Sequence, residues 1–211
     1  MCAYCFARLS FDTKPRCLVC GLSCLDGFTH PKCRRRHEID GVFSSIAYKG
    51  VAKKLLYVFK YKPHVTVIQN LLGDLFYEGL IQNESFMSTI EQYSKTITFV
   101  PIPLHSLKLK SRGYNQSEIL ATELAKRFDL PVKNLLQRTK KTESQYGLKK
   151  EERKDNITGA FSLSPNILVS QYPNIFVVDD ILTTGATLFE AGRVLKKAGA
   201  KQVWGLTFAQ D

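Results

Sequence analysis

The chain has 211 residues, 44% of them hydrophobic, and carries 30 Lys and Arg against 19 Asp and Glu, a formal net charge of +11. That length suits one α/β domain of moderate size with a small appendage, and the charge excess favours polyanionic partners. No apolar run reaches the length of a membrane span and no signal peptide opens the chain, which argues against membrane insertion and for a soluble, cytoplasmic protein.

The appendage is residues 1–37. All the cysteines (Cys2, Cys5, Cys17, Cys20, Cys24 and Cys33) lie within it. Cys-x-x-Cys pairs without a secretory signal point to a metal rather than to disulfides. Two thiolates on a tight turn share one tetrahedral Zn²⁺, and a second pair closes the site. Two ligand sets are open: Cys2, Cys5, Cys17 and Cys20, or Cys17, Cys20, His30 and Cys33. The first is favoured, since all its ligands are thiolates in complete knuckles. Such a structural Zn²⁺ would stabilise a segment too short to bury a core of its own. Cys24 has no assigned role. Lys32, Arg34, Arg35, Arg36 and His37 follow at once, as a phosphate-backbone contact or a solvated linker.

Residues 41–211 read as the main domain. Gly41–Tyr48 has the composition of a strand. Gly50–Tyr61 places Val51, Leu55, Val58 and Phe59 at helical spacing, and Pro63 breaks that helix. Val65–Ile81 reads as a second helix with Ile68, Leu71, Leu72, Leu75 and Phe76 inward. Asn83–Lys95 is polar and reads as a surface connection. Thr96–Val100 is the next buried strand, and Pro101 and Pro103 stiffen its exit. Lys108, Lys110 and Arg112 then fall on a loop ended by Gly113, and a helix runs from there to about Phe128. Three cations near a helix start could clamp a pyrophosphate. Val132–Arg138 reads as a strand. The predominantly basic stretch that follows, with Lys140, Lys141, Lys149 and Lys150, lacks a core pattern and suits a flap over a polyphosphate or a solvated helix and loop.

The most informative stretch is Ile175–Leu188. Ile175, Phe176, Val177 and Val178 form a buried-strand run that meets Asp179 and Asp180. Thr183, Thr184, Gly185, Ala186 and Thr187 make a hydroxyl-rich turn into a helix with Leu188, Ala191, Val194 and Leu195 on one face. Ligands of open α/β sheets bind beyond the carboxyl ends of strands, and a helix N-terminus suits a phosphate. Carboxylates beside an anion pocket make sense if they face sugar hydroxyls or a Mg²⁺ held among oxygens. The ligand that follows is a sugar phosphate. Lys201–Phe208 supplies a closing strand.

The run Val177–Thr187 resembles the phosphoribosyl-pyrophosphate (PRPP) motif of type I phosphoribosyltransferases. The whole chain resembles the ComF/ComFC competence-protein family. Val100-Pro-Ile-Pro-Leu with Arg112-Gly-Tyr-Asn115-Gln116 is similar to one family signature. Arg138, Thr142, Gln145, Leu148, Glu152, Arg153, Asn156 and Gly159-Ala-Phe161 match a second, and the double-acid motif is the third. The resemblance implies a type I phosphoribosyltransferase-like fold, mainly a parallel sheet flanked by helices, behind an N-terminal zinc ribbon. It also implies handling of single-stranded DNA at the cytoplasmic side in natural transformation, alongside a DNA-uptake helicase and other transformation proteins. By resemblance the 5′-phosphate maps to Thr183–Thr187, the ribose and Mg²⁺ to Asp179 and Asp180, and the pyrophosphate side to Arg112. Longer members look like double zinc ribbons, whereas here two knuckles are complete and His30-x-x-Cys33 stands as an altered one. Either this member holds one zinc or the sequence begins late.

Two functions are compatible with these residues. One is an enzyme transferring a phosphoribosyl group from PRPP to a nitrogen nucleophile, in the manner of an amidophosphoribosyltransferase. The other is a nucleic-acid-binding protein with a reused sugar-phosphate pocket. Cations at Lys32–Arg36, Lys53–Lys62, Lys108–Arg112 and Arg138–Lys150 could track a phosphate backbone. Tyr48, Tyr57, Tyr61, Tyr114 and Tyr146 lie near them in sequence and could stack on bases.

Overall fold

The computed structural model describes residues 1–61, 65–140 and 156–211. In chain order the helices are α1 (Ala3–Phe6), α2 (Gly50–Tyr61), α3 (Val65–Ile81), α4 (Glu84–Tyr93), α5 (Ser106–Arg112), α6 (Gln116–Phe128) and α7 (Ala186–Lys197). The strands are β1 (Gly41–Ala47), β2 (Ile97–Pro101), β3 (Leu136–Arg138), β4 (Phe161–Leu163), β5 (Asn174–Leu182) and β6 (Gln202–Gln210). Pro63, Lys62, and the expected flap and signature residues between Lys141 and Arg153 lie outside the described residues.

Strands β1, β6, β5 and β2 pair in that order, all parallel. Their residues are mostly apolar on both faces, as a parallel sheet covered on both sides requires. Alternation along β5 sends Phe176 and Val178 to one face and Ile175 and Val177 to the other. The first face packs under α2, α3, α4 and α6, with Phe176 centred 5.1 Å from Trp204 and 5.5 Å from Phe86. The second packs under α7 through Leu188, Ala191 and Leu195, beside the antiparallel β3–β4 pair.

Three local expectations change. Residues 83–95 are not a surface connection: Asn83 caps α4 by accepting the Phe86 N–H at 2.9 Å, and Phe86, Thr89 and Ile90 are buried. Residues 106–112 are a helix rather than a loop. His105 accepts the Leu107 N–H at its start, and Gly113, at φ +82°, closes it by donating to the Leu109 carbonyl. The α2 stripe is also rotated, burying Ala52, Leu56 and Phe59, because apolar residues occur almost all round that helix.

Residues 1–40 carry little regular structure and lean on the sheet. An Arg16–Ser23 bridge flanks the Cys17–Cys20 turn, and Phe28 bridges to Gly41. Leu9, Phe11 and Phe28 pack on the first core and Leu18 on the second. Side chains tie this segment to the end of β6: Gln210 donates to the Lys14 carbonyl and Arg16 to that of Asp211. No helix among the described residues is long and apolar enough to cross a membrane.

Candidate functional site

β5 runs to Leu182, four residues past the end of its apolar run at Val178. Asp179 still pairs with Thr207, and Leu182 with Gln210, so both acids sit inside the ladder rather than beyond it. Successive strand residues face opposite ways, and the two carboxyls find different partners. Asp180 receives Lys60 of α2, with Nζ 2.9 Å from Oδ1 and 2.8 Å from Oδ2. Asp179 accepts the Ser117 hydroxyl at 3.0 Å and the Asp180 N–H at 2.9 Å. Ser117 stands on the first turn of α6, which Asn115 caps while its amide also donates to the Ile102 carbonyl. The exit of β2 is thereby tied to the acid pair.

Burial, then the Asp180 charge, pushes the Asp179 carboxyl up to about 7, against the pull of the Asp180 N–H, Lys60 and Ser117. Burial would lower the Lys60 ammonium, but Asp180 and then Asp179 outweigh it and hold it above its ordinary value, so it stays charged.

Arg112 lies at the end of α5. It donates to Gln116 Oε1 at 2.6 Å and its guanidinium carbon sits 5.6 Å from the Tyr61 ring centre. Gln116 is buried, and its Nε2 has no partner among the described residues. Burial and the neighbouring Arg138 and Arg112 charges push the Lys108 amine down. Arg138, on β3, is lowered by burial with Asp179 opposing. Lys108, Arg112 and Arg138 thus form one electrostatic neighbourhood, and Arg138 also feels the Asp179 charge.

The Thr183–Thr187 turn leads directly into α7. Gly185 caps that helix at φ +76°, a conformation that side chains with a Cβ rarely adopt, and Phe189 begins the helical bonding by donating to the Gly185 carbonyl. Ala186 N–H reaches Thr184 Oγ1 at 3.4 Å. Thr183, Thr184 and Thr187 are partly exposed, while Gly185 is buried against Leu18, the residue after Cys17.

Of the two ligand sets, the structure gathers the second. Ligand atoms of Cys17, Cys20, His30 and Cys33 all lie within 4.8 Å of one another, and Cys20 Sγ is 3.3 Å from His30 Nδ1. Cys2, the N-cap of α1, and Cys5, within it, belong to the favoured set and do not join this group. The reason is the fold of 23–33: the turn after Ser23 returns His30 and Cys33 to the Cys17–Cys20 knuckle. The group fits Zn²⁺, whose tetrahedral edges are about 3.5–3.8 Å with thiolate and imidazole ligands. His30 Nε2 lies 3.1 Å from the Ser23 carbonyl, a partner for an Nε2–H that leaves Nδ1 as the ligand. Burial, then hydrogen bonds with Cys20 and Cys17, pushes the Cys33 thiol up to about 11. A dication would relieve that crowding. Cys24 is buried outside the group.

Sequence reasoning named Asp179, Asp180, Arg112 and the threonine turn. It missed Lys60 as the partner of Asp180 and Ser117 as that of Asp179. Lys60 was visible only as one of several cations in a basic run. Ser117 carried no signal beyond following the Asn115 cap.

Comparison with known proteins bears on the fold and the family. The family model described as "Phosphoribosyl transferase domain" matches residues 115–209. Competence protein ComFC of Bacillus subtilis aligns over 94% of this chain and 79% of its own length at 28% identity. Competence protein F of Haemophilus influenzae is 39% identical over 113 residues, 52% of this chain and 49% of the relative. Together with the Cys17, Cys20, His30 and Cys33 group, these likenesses support the ComF family for this chain. DNA utilization protein YhgH of Escherichia coli (strain K12) is 34% identical over 110 residues, 51% of this chain and 47% of the relative. The alignments to competence protein F and YhgH span about half the length of those proteins. The chain has a phosphoribosyltransferase-like α/β fold, with a cysteine-rich N-terminal segment consistent with a zinc ribbon.

Proposed function

We propose that this protein acts in DNA uptake, holding single-stranded DNA at the cytoplasmic side of the membrane, and that its sheet edge carries a PRPP-type sugar-phosphate site. The observation that carries the second part is the passage of Asp179–Asp180 through one turn into the Gly185 cap of α7. In this reading the turn takes the 5′-phosphate, the acids take the ribose hydroxyls, and the Lys108, Arg112 and Arg138 neighbourhood takes the pyrophosphate with Mg²⁺. Asp180 would then share its charge between Lys60 and the bound ligand. Zn²⁺ at Cys17, Cys20, His30 and Cys33 is structural.

The DNA part is supported by relatives named for competence and DNA utilization, and by the net charge of +11. A DNA-uptake helicase and other transformation proteins are the partners this role calls for. Binding of a labelled single strand measured against salt tests it: phosphate contacts release counterions, so affinity should fall steeply as salt rises. A nearly flat dependence overturns the DNA role. Titration of PRPP with Mg²⁺ into wild type and Asp180→Asn tests the pocket, and equal affinities would refute the assigned sugar contact.

A second reading, turnover, is favoured by the raised Asp179 carboxyl. A group ionising near neutrality can hand on or accept a proton from a nitrogen nucleophile displacing pyrophosphate. Positioned charges would screen the cation-like sugar formed on the way. Release of pyrophosphate from PRPP in the presence of candidate amines, with and without single-stranded DNA, decides between the two.

A further inference from the structure

On α2 the outward stripe consists of Lys53, Tyr57 and Tyr61, each four residues from the next and all exposed. Four residues advance a helix by about 6 Å, so the three side chains form a row along one side. Tyr57 and Tyr61 are 57% and 64% exposed, with ring centres 5.2 Å apart. Rings left this open contribute little to folding, since their faces still meet water. Cations stand at both ends of the row. Lys53 Nζ lies 5.1 Å from the Tyr48 ring, and Arg112 covers Tyr61 at 5.6 Å. Neither α2 nor α5 contains an acid.

We infer that this row is a stacking platform for unpaired nucleobases: Tyr57 and Tyr61 take base faces, while Lys53 and Arg112 take the flanking phosphates. The inference rests on the DNA role proposed above and gives it a location. The charge pattern selects the occupant. A purely apolar protein surface would leave the terminal cations unmatched, and an acidic peptide would leave the ring faces unused. A single strand offers alternating flat bases and anions, which satisfies both. Lys60, one residue before Tyr61, turns inward to Asp180, so the platform borders the sugar-phosphate site through adjacent residues of one helical turn.

The test is fluorescence anisotropy with a labelled oligothymidylate and with a duplex of mixed sequence. Wild type is compared with Tyr57→Ala, Tyr61→Ala and the double Tyr57→Phe/Tyr61→Phe variant. Loss of one stacking ring weakens single-strand binding by roughly tenfold. The double Phe variant keeps the affinity, because ring faces and not hydroxyls make the contact. Both rings are exposed, so the thermal midpoint stays at the wild-type value in all variants. The platform is wrong if wild type binds the strand and the Ala variants bind it equally well, and the DNA role then survives without it. It is also wrong if the Ala variants lose duplex and single strand alike. Failure of wild type to bind any single strand removes the DNA role itself, and the platform with it.

Discussion

Lys60 reaches both carboxyl oxygens of Asp180, at 2.9 and 2.8 Å, across a sequence separation of 120 residues. The pair joins the end of α2 to the carboxyl end of β5, with side chains 21% and 14% exposed. Its removal on one side leaves two neighbouring acids with one less counter-charge.

Lys60→Met is therefore expected to destabilise the fold by about 1–3 kcal/mol, less than for a fully buried pair because both groups still see solvent. The double variant Lys60→Met/Asp180→Asn should lose less than the sum of the single losses. Urea denaturation of the four proteins measures that coupling, and strict additivity would show that the contact contributes nothing.

The raised Asp179 carboxyl makes stability depend on pH with a definite sign. Its folded value of about 7 lies above the unfolded value near 4. Between those values the native state binds the extra proton, so stability falls as pH rises from about 4 to 7 and is level above. Measured without Mg²⁺, wild type should lose on the order of 1–3 kcal/mol relative to Asp179→Asn between pH 5 and pH 8. A constant difference across that range would mean that Asp179 ionises as an ordinary carboxyl.

Gly185→Ala should cost about 1–2 kcal/mol and weaken PRPP binding, because φ of +76° strains any residue with a Cβ. The added carbon would also come 2.5 Å from Leu18 Cδ2. That atom is the tip of a flexible side chain, so shortening it in Leu18→Ala/Gly185→Ala should recover less than half of the loss. Full recovery would assign the whole cost to the clash.

Purified wild type should contain one zinc per chain, retained in Cys2→Ser and lost in Cys33→Ser or His30→Ala. Elemental analysis reads this directly. Loss of zinc from Cys2→Ser would restore the all-thiolate ligand set.

The sheet was legible because its strands are dense apolar runs and its termini are marked by acids, prolines and glycines. Phe176 and its neighbours could hardly be anything but a covered strand. The α4 segment was missed because polar residues outnumber its buried Phe86 and Ile90, and only tertiary contact with the aromatic core reveals that stripe. Zinc ligation went the other way: regular spacing favoured Cys2 and Cys5, but ligand choice depends on where the chain after Ser23 turns back. The partners of the acids were invisible for the same reason. Lys60 and Ser117 lie far from β5 in sequence, and nothing in a basic run singles out the one lysine that turns inward.

The sheet order also constrains how the molecule is made. β6, residues 202–210, lies between β1 and β5. During synthesis β1 and β5 emerge without a common neighbour, each with a bare ladder edge. The two join into one sheet only when a strand made after both is slotted between them. The chain's half-built forms therefore leave open edges at which another chain could pair.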